Sequence, residues 1–440
     1  MTKRKDTKGF PDPDLIAWTS DTLREGGWRP DDLRMFKFLR RVLNNIDIAY
    51  IATYPPTECG IATFTRDLAT AISKYTPFSD PFVVAISSIE TMEQYPKIVK
   101  FQIQKHEHES YVEAAKFLNE SSAKIVNIQH EYGIFGGPDG EYILALVDKL
   151  EIPLVVTLHT VLFNPSPGQK RIVQEIAEKA MAIVVMVRTG RDILINTYEI
   201  PPEKIVIIPH GVPNVHRVSA AAVKKSLGIP DSPVMSTFGL INRGKGIEYA
   251  IQAMPKIVEK FPKAMYLVLG ETHPGVRHYE GESYRNELLQ LVSDLGLERH
   301  VRFNNRYLSL EELINYLCAT DVYVTPYLNR DQIVSGTLAY ALGCGKAIVS
   351  TPYLYAEEVL SDGRGILVES KNPDSIAEAV IHILSNPELK EEMEAKAYRY
   401  GRRAAWFNVA IDYLDLFHTL LQQTKAPQRS TTATGRRSGS

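Results

Sequence analysis

Short apolar, β-branched runs recur along the chain, with helix-like stretches between them. Residues 46–53, 81–86, 124–129, 153–158, 182–187 and 204–208 make a first series. Residues 233–238, 264–270, 301–303, 321–325, 346–350 and 365–368 make a second. Each run is apolar almost throughout, the pattern of a strand covered on both faces, and parallel sheets acquire that cover from crossover helices. Two such series, each of domain size, predict two doubly wound α/β units in tandem.

The seam falls at Pro209-His210-Gly211-Val212-Pro213-Asn214, where two prolines and a glycine close the first series. We place the first unit at 46–212 and the second at 213–395. Residues 387–421 read as a long helical tail, with Trp406, Phe407, Tyr413, Leu414 and Phe417 on its buried face. Residues 425–440 carry four basic side chains and no acidic ones among polar residues, and read as disordered. Residues 1–45 form a helical extension. Its stripe of Leu33, Phe36, Leu39, Val42 and Leu43 is interleaved with Arg34, Lys37, Arg40 and Arg41. We read that stripe as packing on the first unit, in preference to a membrane surface.

Composition narrows the function classes. Fifty Lys and Arg against 52 Asp and Glu give a formal charge of −2, which argues against a nucleic-acid partner. No apolar run has the length of a membrane span, and the basic N-terminus lacks the apolar core of a secretory signal. A cytoplasmic protein is therefore expected. Three widely spaced cysteines, Cys59, Cys318 and Cys344, supply neither a disulfide framework nor a zinc site.

In doubly wound sheets, ligands bind beyond the carboxyl ends of the strands. The first run leads into a loop containing Gly60, where a helix start could face an anion or simply close a tight turn. His130 ends the third run and His159 the fourth; without a third ligand at recognisable spacing, no metal site is assigned. The second unit opens with Phe238-Gly239-Leu240-Ile241-Asn242-Arg243-Gly244-Lys245-Gly246. A strand, a glycine-rich turn, two cations and a helix start suit a diphosphate. Lys245 is followed by Gly246 and Ile247, so this is not a Walker motif. Further on, Ser335-Gly336-Thr337 begins an apolar helix after a long polar approach, a second anion-binding end.

These residues resemble the family-4 glycosyltransferases of the GT-B fold over about residues 46–395. The resemblance rests on the Gly60 loop, His130, IPHGV at the seam, FGLINRGKGIEYAIQAM, DVYVTPY and GTLAYALGCGKAIVSTPYLYAEEVLSDGRGILV. It implies two Rossmann-like domains facing across a cleft, an acceptor domain followed by a nucleotide-sugar domain. Residues 396–424 would cross back to the first domain as a helix. It implies a retaining, metal-independent transfer of a sugar from a nucleotide-sugar donor to a carbohydrate or lipid-linked acceptor, with no cofactor beyond the donor itself. Carried over by position, His130 and Gln332 are the catalytic candidates. Gly60, Arg243, Lys245, Glu271, His273, Arg306, Ser335, Gly336 and Thr337 are the donor-binding candidates, Arg306 lying in the loop where the family holds the base.

The sequence departs from the family at two positions. Gln332 and Tyr340 stand where the family has two glutamates eight positions apart. Neither brings a negative charge to an oxocarbenium-like transition state. The alternatives that stay open are a phosphorylase or nucleotide-sugar epimerase on the same fold, and a GT-B scaffold that binds and regulates with little or no turnover.

Overall fold

The computed structural model describes residues 46–75, 80–87, 95–216 and 218–425. The expected amphipathic stripe of the extension, and the tail after Lys425, lie outside them. The first sheet consists of β1 (Ile48–Ala52), β2 (Phe82–Ser87), β3 (Val99–Gln104), β4 (Ile125–His130), β5 (Leu154–Leu158), β6 (Ala182–Val185) and β7 (Ile205–Ile207), ordered β3-β2-β1-β4-β5-β6-β7. The second consists of β8 (Val234–Phe238), β9 (Met265–Leu269), β10 (Val301–Asn304), β11 (Val322–Thr325), β12 (Ala347–Ser350) and β13 (Ile366–Leu367), ordered β10-β9-β8-β11-β12-β13. All these pairings are parallel; Ile51 of β1, for example, sits between Val84 of β2 and Ile128 of β4.

Every strand expected from an apolar run is present. β3 is an addition: it alternates, with Lys100 and Gln102 exposed and Ile103 buried, because it lies at an edge and is covered on one face only.

Helices join the strands. In the first unit they are α1 (Gly60–Tyr75), α2 (His108–Glu120), α3 (Ile143–Lys149), α4 (Pro167–Lys179) and α5 (Arg188–Asn196). The second unit has α6 (Ala220–Ser226), α7 (Ile247–Lys260), α8 (Pro274–Glu280), α9 (Ser283–Asp294), α10 (Leu310–Ala319), α11 (Gly336–Gly343), α12 (Leu354–Val359) and α13 (Pro373–Ser385). Local chemistry sets several starts. Ser166 and Ser309 form capping boxes with Gln169 and Glu312, and Asn372 accepts from Ser375 N–H before a proline at the first helical position.

The tail is two helices, α14 (Pro387–Arg403) and α15 (Trp406–Lys425), instead of one. α14 runs unbroken past 395, so the crossing to the first unit comes at Ala404–Trp406. There Ala405 leaves helical geometry to bridge Val212: Val212 N–H donates to Ala404 O at 2.8 Å and Trp406 N–H to Val212 O at 3.0 Å. α15 then covers the first sheet beside α1, burying Val409, Ala410, Tyr413 and Phe417 against Ile48, Tyr50 and Val155. The expected buried positions Phe407, Tyr413, Leu414 and Phe417 are buried, and Trp406 is half-buried.

Trp406 is seated on Gly211. A β-carbon there would lie 2.3 Å from the indole ring, a clash that a rigid ring cannot relieve by rotating a flexible end. Gly211→Ala should therefore destabilise the protein by about 1–3 kcal/mol. Gly60→Ala is the control, since a β-carbon at Gly60 would meet open space. Urea midpoints that fall together for both variants, or for neither, would refute this packing.

Candidate active-site cleft

The carboxyl ends of both sheets meet. Tyr340 Oη of α11 donates to Asp67 Oδ2 of α1 at 2.9 Å, and Tyr307, after β10, lies 3.1 Å from Thr63 Oγ1 through its hydroxyl. Glu358 of α12 accepts from Arg188 N–H (2.9 Å), Thr189 N–H (2.8 Å) and Thr189 Oγ1 (2.8 Å), so the second unit caps a helix of the first. Ile333 packs its Cδ1 against Gly190, where an added β-carbon would be 3.3 Å away.

The glycine-rich turn after β8 is fixed by its neighbour. Gly246 is left-handed at φ +59, and a β-carbon on it would sit 2.2 Å from Pro326 O. Leu328 N–H donates to Gly244 O at 2.9 Å, stapling the turn onto the segment after β11. This places Lys245 Nζ 3.9 Å from the centroid of the Tyr327 ring. The Tyr327 hydroxyl is 2.7 Å from Thr337 Oγ1, which is 3.1 Å from Ser335 Oγ; Ser335 in turn accepts from Leu338 N–H at 3.3 Å as the cap of α11. One tyrosine thus joins the lysine turn to the start of α11. Lys245, Ser335, Gly336 and Thr337 belong to one continuous surface.

Other donor candidates are engaged elsewhere. Arg243 is committed to Glu287 through a bidentate pair at 2.7 and 2.6 Å, with Glu280 at 3.5 Å and the Tyr284 ring beneath it. The sequence suggested a free cation; a carboxylate 44 residues away neutralises it. Arg306 is likewise held by Glu312 at 3.1 and 2.6 Å, as part of the α10 cap. His273 is itself a cap: its Nδ1 accepts from Gly275 N–H at 3.1 Å, while burial and nearby Lys245 hold its pKa down. Glu271 pairs with Arg277 at 2.8 Å. Glu58, from the loop before Gly60, faces it across the cleft, and burial together with the Glu271 carboxyl raises the Glu58 pKa. Gln332 donates its Nε2 to Val334 O at 2.8 Å, which turns the amide back on its own segment.

His130 is sealed at the end of β4 between the rings of Tyr132 and Phe135, with centroids at 5.1 and 5.5 Å. Neither ring nitrogen has a partner among the described residues, and burial lowers its pKa to about 4. Two further imidazoles that sequence reasoning did not assign to the site, His159 and His210, are buried close by. Asp67 and Tyr327 were also missed. Only the position of His159 at a strand end, and of His210 within IPHGV, could have drawn attention to them.

Residues 101–214 match the family description Glycosyltransferase Family 4, and residues 220–400 match Glycosyl transferases group 1. The chain belongs to glycosyltransferase family 4. A D-inositol 3-phosphate glycosyltransferase from a Nocardioides species is 25% identical over 296 residues, covering 61% of this chain and 63% of that one. The chain thus spans under two thirds of that relative. A GDP-mannose-dependent monoacylated alpha-(1-6)-phosphatidylinositol monomannoside mannosyltransferase from Corynebacterium glutamicum is 28% identical over 211 residues, covering 45% of this chain and 51% of that one. In fold, this family-4 chain resembles the sucrose-phosphate synthase of Thermosynechococcus elongatus, with a TM-score of 0.70 at 17% identity, over 86% of this chain and all of that one. It also resembles Anabaena Alr3699/HepE, solved with UDP and glucose, with a TM-score of 0.67 at 15% identity, over 85% and 100% of the two chains. These likenesses establish the GT-B architecture.

The buried histidines give the family-4 fold a pH dependence. Burial holds His130 near 4, His159 near 3 and His210 near 4, against about 6.5 in an unfolded chain. Between those values the unfolded chain takes up protons that the folded protein refuses. Their contribution is therefore complete above pH 6.5 and is lost as pH falls toward 4. Unfolding free energy from urea titrations should drop by about 3 kcal/mol from pH 6.5 to 5.5. Replacing any one of the three by glutamine should flatten that slope by about a third; a profile unchanged in all three variants would refute the assignment.

Proposed function

We propose that the protein transfers a glycosyl group from a nucleotide-sugar donor to a hydroxyl of a carbohydrate or lipid-linked acceptor, in the cytoplasm. The observation that carries this reading is the Lys245–Tyr327–Thr337 linkage. It joins a cation without a carboxylate partner among the described residues to the amino end of α11. A helix start and a lysine together meet the charge of a diphosphate leaving group, which supports a transfer that needs no metal. In the reaction we envisage, the acceptor oxygen bonds to the anomeric carbon as the bond from that carbon to the diphosphate oxygen breaks. The hydroxyl proton passes to the departing phosphate, and configuration is retained. The names of the similar proteins, which include a GDP-mannose-dependent mannosyltransferase and a protein solved with UDP and glucose, are in keeping with a nucleotide-linked sugar. No helix among the described residues is long and apolar enough to cross a membrane, so a lipid-linked acceptor would be reached from the surface of the fold.

A second reading, a binding scaffold with little turnover, is favoured by one feature. Tyr340 gives its hydroxyl to Asp67 and brings no carboxylate to the cleft.

Thermal melts with UDP, GDP, ADP and their sugar conjugates test the first reading. At one hundred times its dissociation constant the correct nucleotide should add about 2.7 kcal/mol. Lys245→Ala should abolish most of that shift while leaving the ligand-free melting temperature in place. Equal shifts in wild type and variant would sink the diphosphate assignment. A shift without sugar transfer across a panel of acceptors would favour the scaffold.

A further inference from the structure

Three cysteines spread along the chain form no pattern in sequence, yet the fold brings two of them together. Cys318 is the next-to-last residue of α10, and Cys344 follows the last residue of α11. The Cys344 thiol hydrogen-bonds to the Cys318 sulfur. Two glycines hold Cys344 in place. Gly343 packs on the seam, where a β-carbon would lie 2.8 Å from Val212 Cβ. Gly345 is left-handed at φ +62, and a β-carbon on it would lie 2.9 Å from Tyr398 Cβ of α14. The thiol pair therefore adjoins the joint at which Val212 bridges Ala405.

Two cations face the pair. Lys346, just before β12, is buried, and its Nζ donates to Cys318 O at 3.4 Å and Thr320 O at 3.2 Å instead of to a carboxylate. Arg402 of α14 donates to Gly343 O at 2.7 Å, and its Nε is buried without a partner among the described residues. The carboxylates beyond them are taken up by other lysines: Lys390 holds Glu394 at 2.8 Å and Lys224 holds Asp321 at 2.6 Å. Such surroundings favour a thiolate. The Cys344 hydrogen bond, and then the charge of Lys346, lower the pKa of Cys318 against the effect of burial. The same hydrogen bond, together with burial, raises that of Cys344. One sulfur is thus the nucleophile and the other stays a thiol. Neither is sealed, since Cys318 keeps 5% of its surface accessible and Cys344 keeps 8%. Access of that size suits an oxidant as small as water.

We propose that Cys318 and Cys344 are a dithiol modification site, oxidised by hydrogen peroxide to a reversible disulfide that stiffens the joint between the two units. The Cys318 thiolate attacks one peroxide oxygen as the O–O bond breaks, and the hydroxide released takes up a proton and leaves as water. Cys344 then attacks the sulfur of the Cys318 sulfenic acid. Its thiol proton departs with the hydroxyl as a second water. The two thiols lose two electrons and two protons, and the peroxide is reduced to two waters. Thiol–disulfide exchange with a small dithiol reverses the bond, so in a reducing compartment it lasts only while peroxide is present. The cross-link ties the end of α10 to the end of α11 beside Gly343, which rests on Val212. This chemistry lies outside the cleft and does not rest on the transfer reading.

Mass spectrometry of the full chain after hydrogen peroxide, and again after dithiothreitol, tests the site. Wild type should lose the mass of two hydrogens, with the Cys318 and Cys344 peptides joined, and dithiothreitol should restore both. Cys59, whose sulfur accepts Ala62 N–H at 3.4 Å, is the internal control and should enter no bridge. In Cys344→Ser the reaction should stop at a Cys318 sulfenic acid that dimedone traps. In Cys318→Ser, Cys344 should stay unreacted at the same peroxide concentration. Lys346→Met should slow oxidation about tenfold at neutral pH and move the midpoint of its pH profile upward. A variant that merely loosened the fold would expose the thiols and speed it. In the oxidised chain the amides of Val212 and Trp406, which close the joint, should exchange with deuterium several-fold more slowly. No bridge, a bridge that includes Cys59, or first attack by Cys344 would overturn the site. Unchanged exchange at Val212 and Trp406 would overturn its coupling to the joint.

Discussion

The bridge between Val212 and Ala405 is the constraint on which the arrangement of the two units depends. Two backbone hydrogen bonds join the seam to the end of α14 at the point where the chain turns back toward the first sheet. Backbone pairing fixes position without regard to side-chain identity, so the neighbouring residues inherit their places from it. Trp406 falls on Gly211, α15 is led along α1, and His210 is brought against Gly336. Gly343 meets the same seam from the other side: a β-carbon there would lie 2.8 Å from Val212 Cβ. The apolar core that results runs through the seam, since Val185, Val212, Leu317 and Tyr340 belong to one buried cluster. The two sheets are consequently joined by packed side chains as well as by a hinge of chain.

Asp67 is the partner that Tyr340 finds in the opposite unit. Tyr340 is buried and points its hydroxyl at a carboxylate of the opposite unit. Arg66 holds the other oxygen of Asp67 at 2.9 and 2.7 Å. A glutamate at 340 would place a second carboxylate against Asp67, and two buried like charges cost several kcal/mol or force a shared proton. A neutral hydroxyl donor at 340 and the carboxylate of Asp67 are thus physically consistent with one another. Together with the Glu358 cap on α5, this contact favours the approximation of the two units.

The fold was legible because continuous apolar runs have few other homes than a doubly covered parallel sheet. β3 escaped because its sequence, Val-Lys-Phe-Gln-Ile-Gln, alternates as an edge strand does and lacks the run that marked the others. The tail read as one helix because nothing in Ala404-Ala405 breaks helical propensity; a bridge to a residue almost two hundred positions earlier breaks it. The site was legible where geometry is local, as with the turn at Gly246 and the cap at Ser335. It was illegible where a long-range partner decides. Arg243 and Lys245 are two residues apart and equally cationic in sequence, but only Arg243 meets carboxylates, Glu280 and Glu287, across α8 and α9.

That contrast also bears on how the cleft holds charge. An arginine paired bidentately with a carboxylate presents little net charge and is held rigidly, so it shapes the surface without attracting an anion. A lysine over an aromatic face is steadied by the ring quadrupole, yet its unit charge is not cancelled. Lys245 is therefore positioned and electrostatically active at once, and is linked through Tyr327 to the start of α11. The second unit gathers several arginines around this region, and Arg243, Arg277 and Arg306 all have carboxylate partners. Of these four cations, Lys245 alone has no carboxylate partner among the described residues. An unneutralised cation at one place draws an anionic group more sharply than the same charge shared among ion pairs would.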